Sequence, residues 1–157
     1  MIKTGIGYDV HKLAMGRKLV IGGLEIPSEF GSVGHSDGDV LLHAIVDSML
    51  GGSSLGDIGQ LFSSEDNKWK DMNSMIFLEN VTEKVKSAGF IINHIDSVII
   101  LQEPKLSGHI ITMRSNIANT IKIDKSQISI KATTTDHIGN IGKGNAIAAQ
   151  AITTLEN

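Results

Sequence analysis

The chain has 157 residues, 41% hydrophobic and 20% charged, a size and balance that exclude a disordered chain and allow a real hydrophobic core. Its formal net charge of -3 excludes the dense basic surface that nucleic acid requires, so no nucleic-acid partner is expected. Cysteine is absent, which excludes disulfides and thiolate ligands and leaves histidine and carboxylate side chains to hold a transition metal.

The first seven residues lack the apolar run of a signal peptide, and no segment approaches the roughly 20 apolar residues that span a bilayer. A cytoplasmic protein with no membrane partner is expected, folded as one domain over 1–157.

In chain order, Ile6, Tyr8 and Val10 alternate over residues 4–12, and Asp9 and His11 share the opposite face of the predicted strand. Residues 19–21 and 24–26 flank Gly22-Gly23 and predict an N-terminal hairpin closed by Pro27. Residues 28–38 read as loop. From Asp39, the residues Leu42, Ile45, Val46, Met49 and Leu50 fall at helical spacing, with Ser36 or Asp37 as the cap and Gly51-Gly52 as the stop. Asp39, His43 and Asp47 then share a helix face, which sets His43 beside two carboxylates.

Residues 53–72 read as one long loop, a length that is often functional. Leu78, Val81, Val85 and Ala88 predict a second helix ending at Gly89, and residues 95–102 a buried strand stopped by Pro104. Leu106, Ile110, Met113 and Ile117 predict a third helix to about residue 121, and residues 127–131 alternate as a strand. Residues 146–155 admit helix or edge strand, and strand is the reading adopted. These elements predict an α/β (α+β) sandwich, a mixed β-sheet with helices packed on one face plus the N-terminal hairpin.

Asp9, His11 and His43 offer two imidazoles and a carboxylate, a set that suits Zn²⁺ with its fourth position open. A chance Asp-x-His pair on a polar strand face explains the same spacing. His35-Ser36-Asp37-Gly38-Asp39 can hold a phosphate at a helix start or serve as a plain cap. Lys131-Ala132-Thr133-Thr134-Thr135-Asp136, followed by a glycine-rich stretch, suits phosphate oxygens, though threonines also favour strands and glycines turns. There is no Walker loop and no nucleophile elbow.

Taken together with Leu55-Gly56-Asp57-Ile58-Gly59, these motifs resemble one family along essentially the whole chain. It is the 2-C-methyl-D-erythritol 2,4-cyclodiphosphate synthase family of the non-mevalonate isoprenoid pathway. The resemblance implies an α/β sandwich assembled as a homotrimer, with active sites between subunits. It implies a phosphorus-oxygen lyase that converts 4-diphosphocytidyl-2-C-methyl-D-erythritol 2-phosphate to the cyclic diphosphate and CMP. The substrate's own 2-phosphate attacks its β-phosphorus with metal assistance, so no protein nucleophile is required. A non-catalytic nucleotide-binding protein of the same fold and a zinc phosphohydrolase are the alternatives.

By this resemblance Asp9, His11 and His43 bind zinc, and His35 and Thr134 stabilise the transition state. Ser36 lies beside the phosphate. Asp57, Ile58 and Gly59 meet the methylerythritol, followed by Phe62, Ser64 and Asp66. Leu101, Pro104, Lys105, Leu106 and Ser107 form the cytidine pocket, and Ala132, Thr133, Thr135, Asn140 and Lys143 complete the substrate contacts. A second divalent ion, Mg²⁺ or Mn²⁺, falls to Asp136, where the family has a glutamate. Ser63-Ser64-Glu65-Asp66 departs from a proline-containing family pattern, and Asn140 and Lys143 stand where an aromatic and an arginine are common.

Overall fold

Strand alternation at the N-terminus runs further than the sequence predicts, giving β1 over Ile2–Met15. The computed structural model describes residues 1–63 and 65–157, so Ser64, an expected substrate contact, lies outside the described residues. The Gly22-Gly23 hairpin forms as predicted, with β2 (Leu19–Ile21) paired to β3 (Leu24–Ile26) in a separate two-stranded sheet. The expected loop after it contains a short strand, β4 (Phe30–Val33), which pairs antiparallel with the far end of β1.

Helix α1 spans Val40–Ser53. Its cap is Asp39 rather than Ser36 or Asp37: Asp39 Oδ1 accepts the Leu42 N–H at 3.1 Å and the Gly22 N–H at 3.0 Å, while Oδ2 accepts the Gly23 N–H at 2.8 Å. One buried carboxylate thus pins the hairpin turn to the helix start. Burial lifts its pKa to about 6, against the opposing hydrogen bonds from Gly23, Leu42 and Gly22. Asp47 accepts the Ile58 N–H at 3.0 Å. The expectation that His43 sits between Asp39 and Asp47 is therefore corrected, because a capping side chain folds back over the helix end instead of projecting from its flank.

Gly51-Gly52 does not stop this helix, which continues to Ser53 and ends at Ser54 in the left-handed region, φ 61°. The reason lies across the sheet: an added Cβ on Gly52 would stand 3.0 Å from the Gly5 nitrogen. A Cβ on Gly5 would meet the Ser48 carbonyl at 1.9 Å, and one on Gly7 the Ala44 carbonyl at 2.0 Å. Helix and strand approach backbone to backbone, and only glycine allows it.

The expected loop 53–72 holds a one-turn helix, α2 (Ile58–Leu61), and a 3₁₀ turn over Asn67–Trp69. Each is capped by an aspartate, Asp57 and Asp66, so local capping breaks what periodicity reads as loop. Helix α3 spans Ser74–Ser87, β5 Ile91–Ile100, α4 Ile110–Ile121 and β6 Ile128–Thr133, followed by a turn of helix, α5 (Gly139–Gly142). The third predicted helix starts later than expected, leaving Leu106 buried ahead of it.

The C-terminal segment is a strand, β7 (Ala146–Glu156), but not at an edge. The five-stranded sheet runs β4-β1-β7-β5-β6, with β5 and β6 parallel and the other pairs antiparallel. Its alanines suit the centre, because Ala149 and Ala151 lie opposite Asp9 and Gly7 and keep the floor under α1 flat. The helices cover one face of the sheet, with α1 across β1 and β7. On the other face Ile2, Ile6, Tyr8, Val10 and Ile152 are exposed. Among the described residues no helix is long and apolar enough to cross a membrane. Gly7→Ala should push α1 off the sheet and destabilise the chain by about 3 kcal/mol, read as a lower urea midpoint at unchanged slope.

Candidate functional site

Where α1 presses on the sheet, the inward face of β1 carries Asp9 and His11 and the first turn of the helix carries His43. Asp9 Oδ2 lies 2.9 Å from His11 Nε2 and 2.9 Å from His43 Nδ1, and the two nitrogens are 3.2 Å apart. Hydrogen bonding alone accounts poorly for this triangle. If both imidazoles donate to the one oxygen, their two protons face each other, whereas three lone pairs converging suit a cation. Tetrahedral zinc with bonds of about 2.0–2.1 Å has donor–donor edges of about 3.3 Å, so the residues fit that ion. Asp9, His11 and His43 are the only such cluster of possible metal ligands among the described residues.

Burial raises the Asp9 pKa, but hydrogen bonds with His11 and His43 and their charge outweigh it and hold the carboxyl well below the usual range. It therefore stays anionic. On the far side of the His43 ring, Nε2 lies 2.9 Å from Ser74 Oγ and 3.1 Å from Ser36 Oγ. Ser74 is completely buried and carries no sequence signal, since it opens α3 behind Asn73 as an ordinary first-turn serine.

Beside the triangle is a cavity of about 250 Å³. Its polar wall is His11, His35, Ser36 and His43, and its apolar wall includes Ile58, Gly59 and Phe62 with Trp69 and Phe77. Phe62 stacks on Phe77 with ring centres 4.4 Å apart, and Trp69 meets Phe62 edge-on at 5.0 Å. Trp69 and Phe77 escaped the sequence reading because an apolar residue in a loop or helix has the same signature whether it lines a site or a core. Asp57 and Asp66 are not in this wall. Asp57 caps α2 and binds Gln60, and the exposed Asp66 carboxylate caps its own turn and pairs with Lys68 at 3.1 Å. Asp66 still touches the site through its carbonyl, 3.2 Å from His35 Nε2.

A second, larger cavity of about 1030 Å³ takes Leu101, Pro104, Lys105, Leu106 and Ser107 on one side and Ala132, Thr133, Thr134 and Lys143 on another. Leu13, two residues beyond His11 on β1, lines it as well, with Glu29 and Phe30. Thr135, Asp136 and Asn140 do not reach this wall. Thr135 Oγ1 donates to the Ile138 carbonyl at 2.8 Å, and Asp136 is exposed at φ 49°. The two residues expected to stabilise the transition state therefore line different cavities of the chain, His35 the small one and Thr134 the large one.

A profile of the YgbB family matches residues 2–156. The chain belongs to the YgbB family, that of the cyclodiphosphate synthases. A relative from Desulforamulus reducens, named 2-C-methyl-D-erythritol 2,4-cyclodiphosphate synthase, is 49% identical over 155 residues, which cover 99% of each chain. The bifunctional IspDF from Campylobacter jejuni matches with a TM-score of 0.95 and 41% identity over 99% of this chain. This chain spans 42% of that bifunctional one. IspF from Plasmodium falciparum, solved as a CDP complex, matches with a TM-score of 0.87 and 36% identity, covering 98% of this chain and 95% of that one. The family resemblance and the sandwich fold expected from the motifs are both borne out.

Because the folded pKa of Asp9 lies below the unfolded one, its ionisation stabilises the fold above about pH 4, and that contribution is lost as the pH falls through the lowered folded value. In metal-free protein, Asp9→Asn should flatten the acid limb of stability against pH, as followed by urea unfolding at a series of pH values.

Proposed function

We propose that the chain converts 4-diphosphocytidyl-2-C-methyl-D-erythritol 2-phosphate to 2-C-methyl-D-erythritol 2,4-cyclodiphosphate and CMP, as a cytoplasmic phosphorus-oxygen lyase of the non-mevalonate isoprenoid pathway. The observation that carries this reading is the pair of cavities. One holds a metal-ligand triangle beside phosphate-type contacts, and the other is large enough for a nucleotide and is formed by the segments that the family resemblance assigns to cytidine. The CDP bound in the Plasmodium falciparum relative supports the nucleotide assignment.

In this reading an oxygen of the 2-phosphate forms a bond to the β-phosphorus, the bond from that phosphorus to the bridging oxygen breaks, and CMP leaves with that oxygen. Such a transfer needs positioning and charge neutralisation more than covalent chemistry. Asp9, His11 and His43 hold Zn²⁺, which supplies positive charge to a phosphate oxygen when bound. His35 and Ser36 donate hydrogen bonds from the cavity wall, Thr134 from the opposite half-site, and Lys143 adds a charge beside the large cavity. Ile58, Gly59 and Phe62 hold the methylerythritol against the apolar wall and exclude water, and Asp57 and Asp66 contribute from the caps of the neighbouring short helices. Asp136 is a lone exposed carboxylate, and a single carboxylate completed by water and substrate phosphates suits Mg²⁺ or Mn²⁺.

The whole chain acts as one catalytic unit and assembles as a homotrimer. Two features support assembly: the bare apolar face of β1 and β7, and the division of His35 and Thr134 between cavities. A neighbouring copy would bring the two half-sites together.

The purified chain, given the diphosphocytidyl substrate with Mg²⁺, should release CMP without incorporating solvent oxygen into the cyclic product. His43→Ala should lower the rate by about 100-fold or more. A linear phosphate labelled from solvent water would mark a hydrolase, and binding without CMP release a non-catalytic protein. Chelating zinc should abolish turnover while the folded circular-dichroism signal persists, because the ligands stand on elements with their own buried cores. Coexpressed His43→Ala and Thr134→Ala chains should recover activity that neither has alone, and a mixture as inactive as its parents would exclude a site shared between subunits.

A further inference from the structure

Three hydrogen-bonding groups meet behind the His43 ring, and their chemistry leaves one arrangement of protons on that side of it. Ser74 Oγ is in hydrogen-bond contact with Asp37 Oδ1, and Asp37 Oδ2 accepts the Ser74 backbone N–H at 2.9 Å. Asp37 Oδ1 also receives the Asp39 N–H at 3.2 Å. An ionised carboxylate only accepts, so the Ser74 hydroxyl must donate its one proton to Asp37. The oxygen is then left with lone pairs for His43 Nε2, 2.9 Å away, and the proton in that contact must come from the ring.

A neutral imidazole protonated on Nε2 carries its lone pair on Nδ1, the atom that faces Asp9 and His11, so that a cation between them takes the place of the Nδ1 proton that otherwise donates to Asp9 Oδ2 2.9 Å away. The alternative partner, Ser36, does not force this choice. Its hydroxyl lies 3.1 Å from Nε2 and 3.3 Å from Ser74 Oγ, and its proton is free to rotate. A Ser36 hydroxyl donating to Nε2 would drive the ring proton to Nδ1, where it blocks a cation.

We propose that Ser74, held by Asp37, is a positioning residue that fixes His43 as the Nε2–H form and so makes Nδ1 a metal donor. The inference rests on the zinc reading of the triangle. Its elements come from three places in the chain: the loop before α1 carries Asp37, α1 carries His43, and the start of α3 carries Ser74. The same contacts tie that loop to α3, with the Asp37 N–H donating to the Met72 carbonyl at 3.0 Å. The tautomer is thus set by tertiary packing.

Nitrogen-15 NMR of the histidines in the metal-free wild-type chain, at mildly alkaline pH, should show His43 protonated on Nε2. In S74A the two tautomers should mix, and zinc affinity, measured by competition against a chromophoric chelator, should fall about 10–100-fold. S36A, which leaves the Asp37–Ser74–His43 chain whole, should keep the wild-type zinc affinity. A wild-type His43 with no proton on Nε2 overturns the proposal, and that measurement decides even where S74A folds poorly. Unchanged zinc affinity in folded S74A, or an equal loss in S36A, overturns it too while leaving the zinc reading intact. A wild-type chain that binds no zinc overturns the zinc reading, and this inference with it.

Discussion

The contact on which everything else depends is the backbone-to-backbone approach of α1 to β1. Gly5 and Gly7 on the strand face Ala44, Ser48 and Gly52 on the helix with no side chain between them. That closeness lets His43, in the helix's first turn, come within 2.9 Å of a carboxylate on the strand. A helix resting on ordinary side chains would stand several ångströms further off, with axis separations of about 10 Å typical of packed layers. Buried Asp39 works toward the same end by anchoring the helix start to the β2–β3 turn.

From that contact the site is built outward, from regular elements to loops and short turns. The triangle of Asp9, His11 and His43 stands on regular elements. Behind it, the Asp37 and Ser74 contacts come from a loop and a helix start, and in front of it the cavity wall rests on short capped turns. Aspartate serves four purposes here: metal-ligand candidate at Asp9, buried anchor at Asp39, hydrogen-bond acceptor at Asp37, and local cap at Asp57 and Asp66. Burial and partners separate the purposes. Asp9 is held ionised by two imidazoles, while Asp39 is pushed upward by complete burial.

All the helices that cover the sheet lie on one side, so the apolar residues of β1 that alternate with Asp9 and His11 face outward. The same period of two that aims Asp9 and His11 at α1 aims Tyr8 and Val10 away from it. One strand therefore serves the Asp9–His11–His43 triangle and an apolar outer surface at once.

The sequence by itself determined the elements whose periodicity is strong: the first strand, the hairpin, the three long helices and the buried strand before Pro104. It also carried the three metal-ligand candidates, because a strand's period places Asp9 with His11 whatever the rest of the chain does. Only the tertiary structure decided that Gly51-Gly52 sits inside a helix, since a glycine that ends a helix and one that lets a strand approach look alike in one dimension. It moved the C-terminal strand from an edge to the centre, because alanine propensity says nothing about neighbours on both sides. It gave Asp39 to the hairpin instead of to His43, and put His35 and Thr134 in separate cavities. Ser74 was out of reach for the same reason: its role consists of contacts with Asp37, 37 residues away, and His43, 31 residues away, and no local pattern encodes a contact at that range.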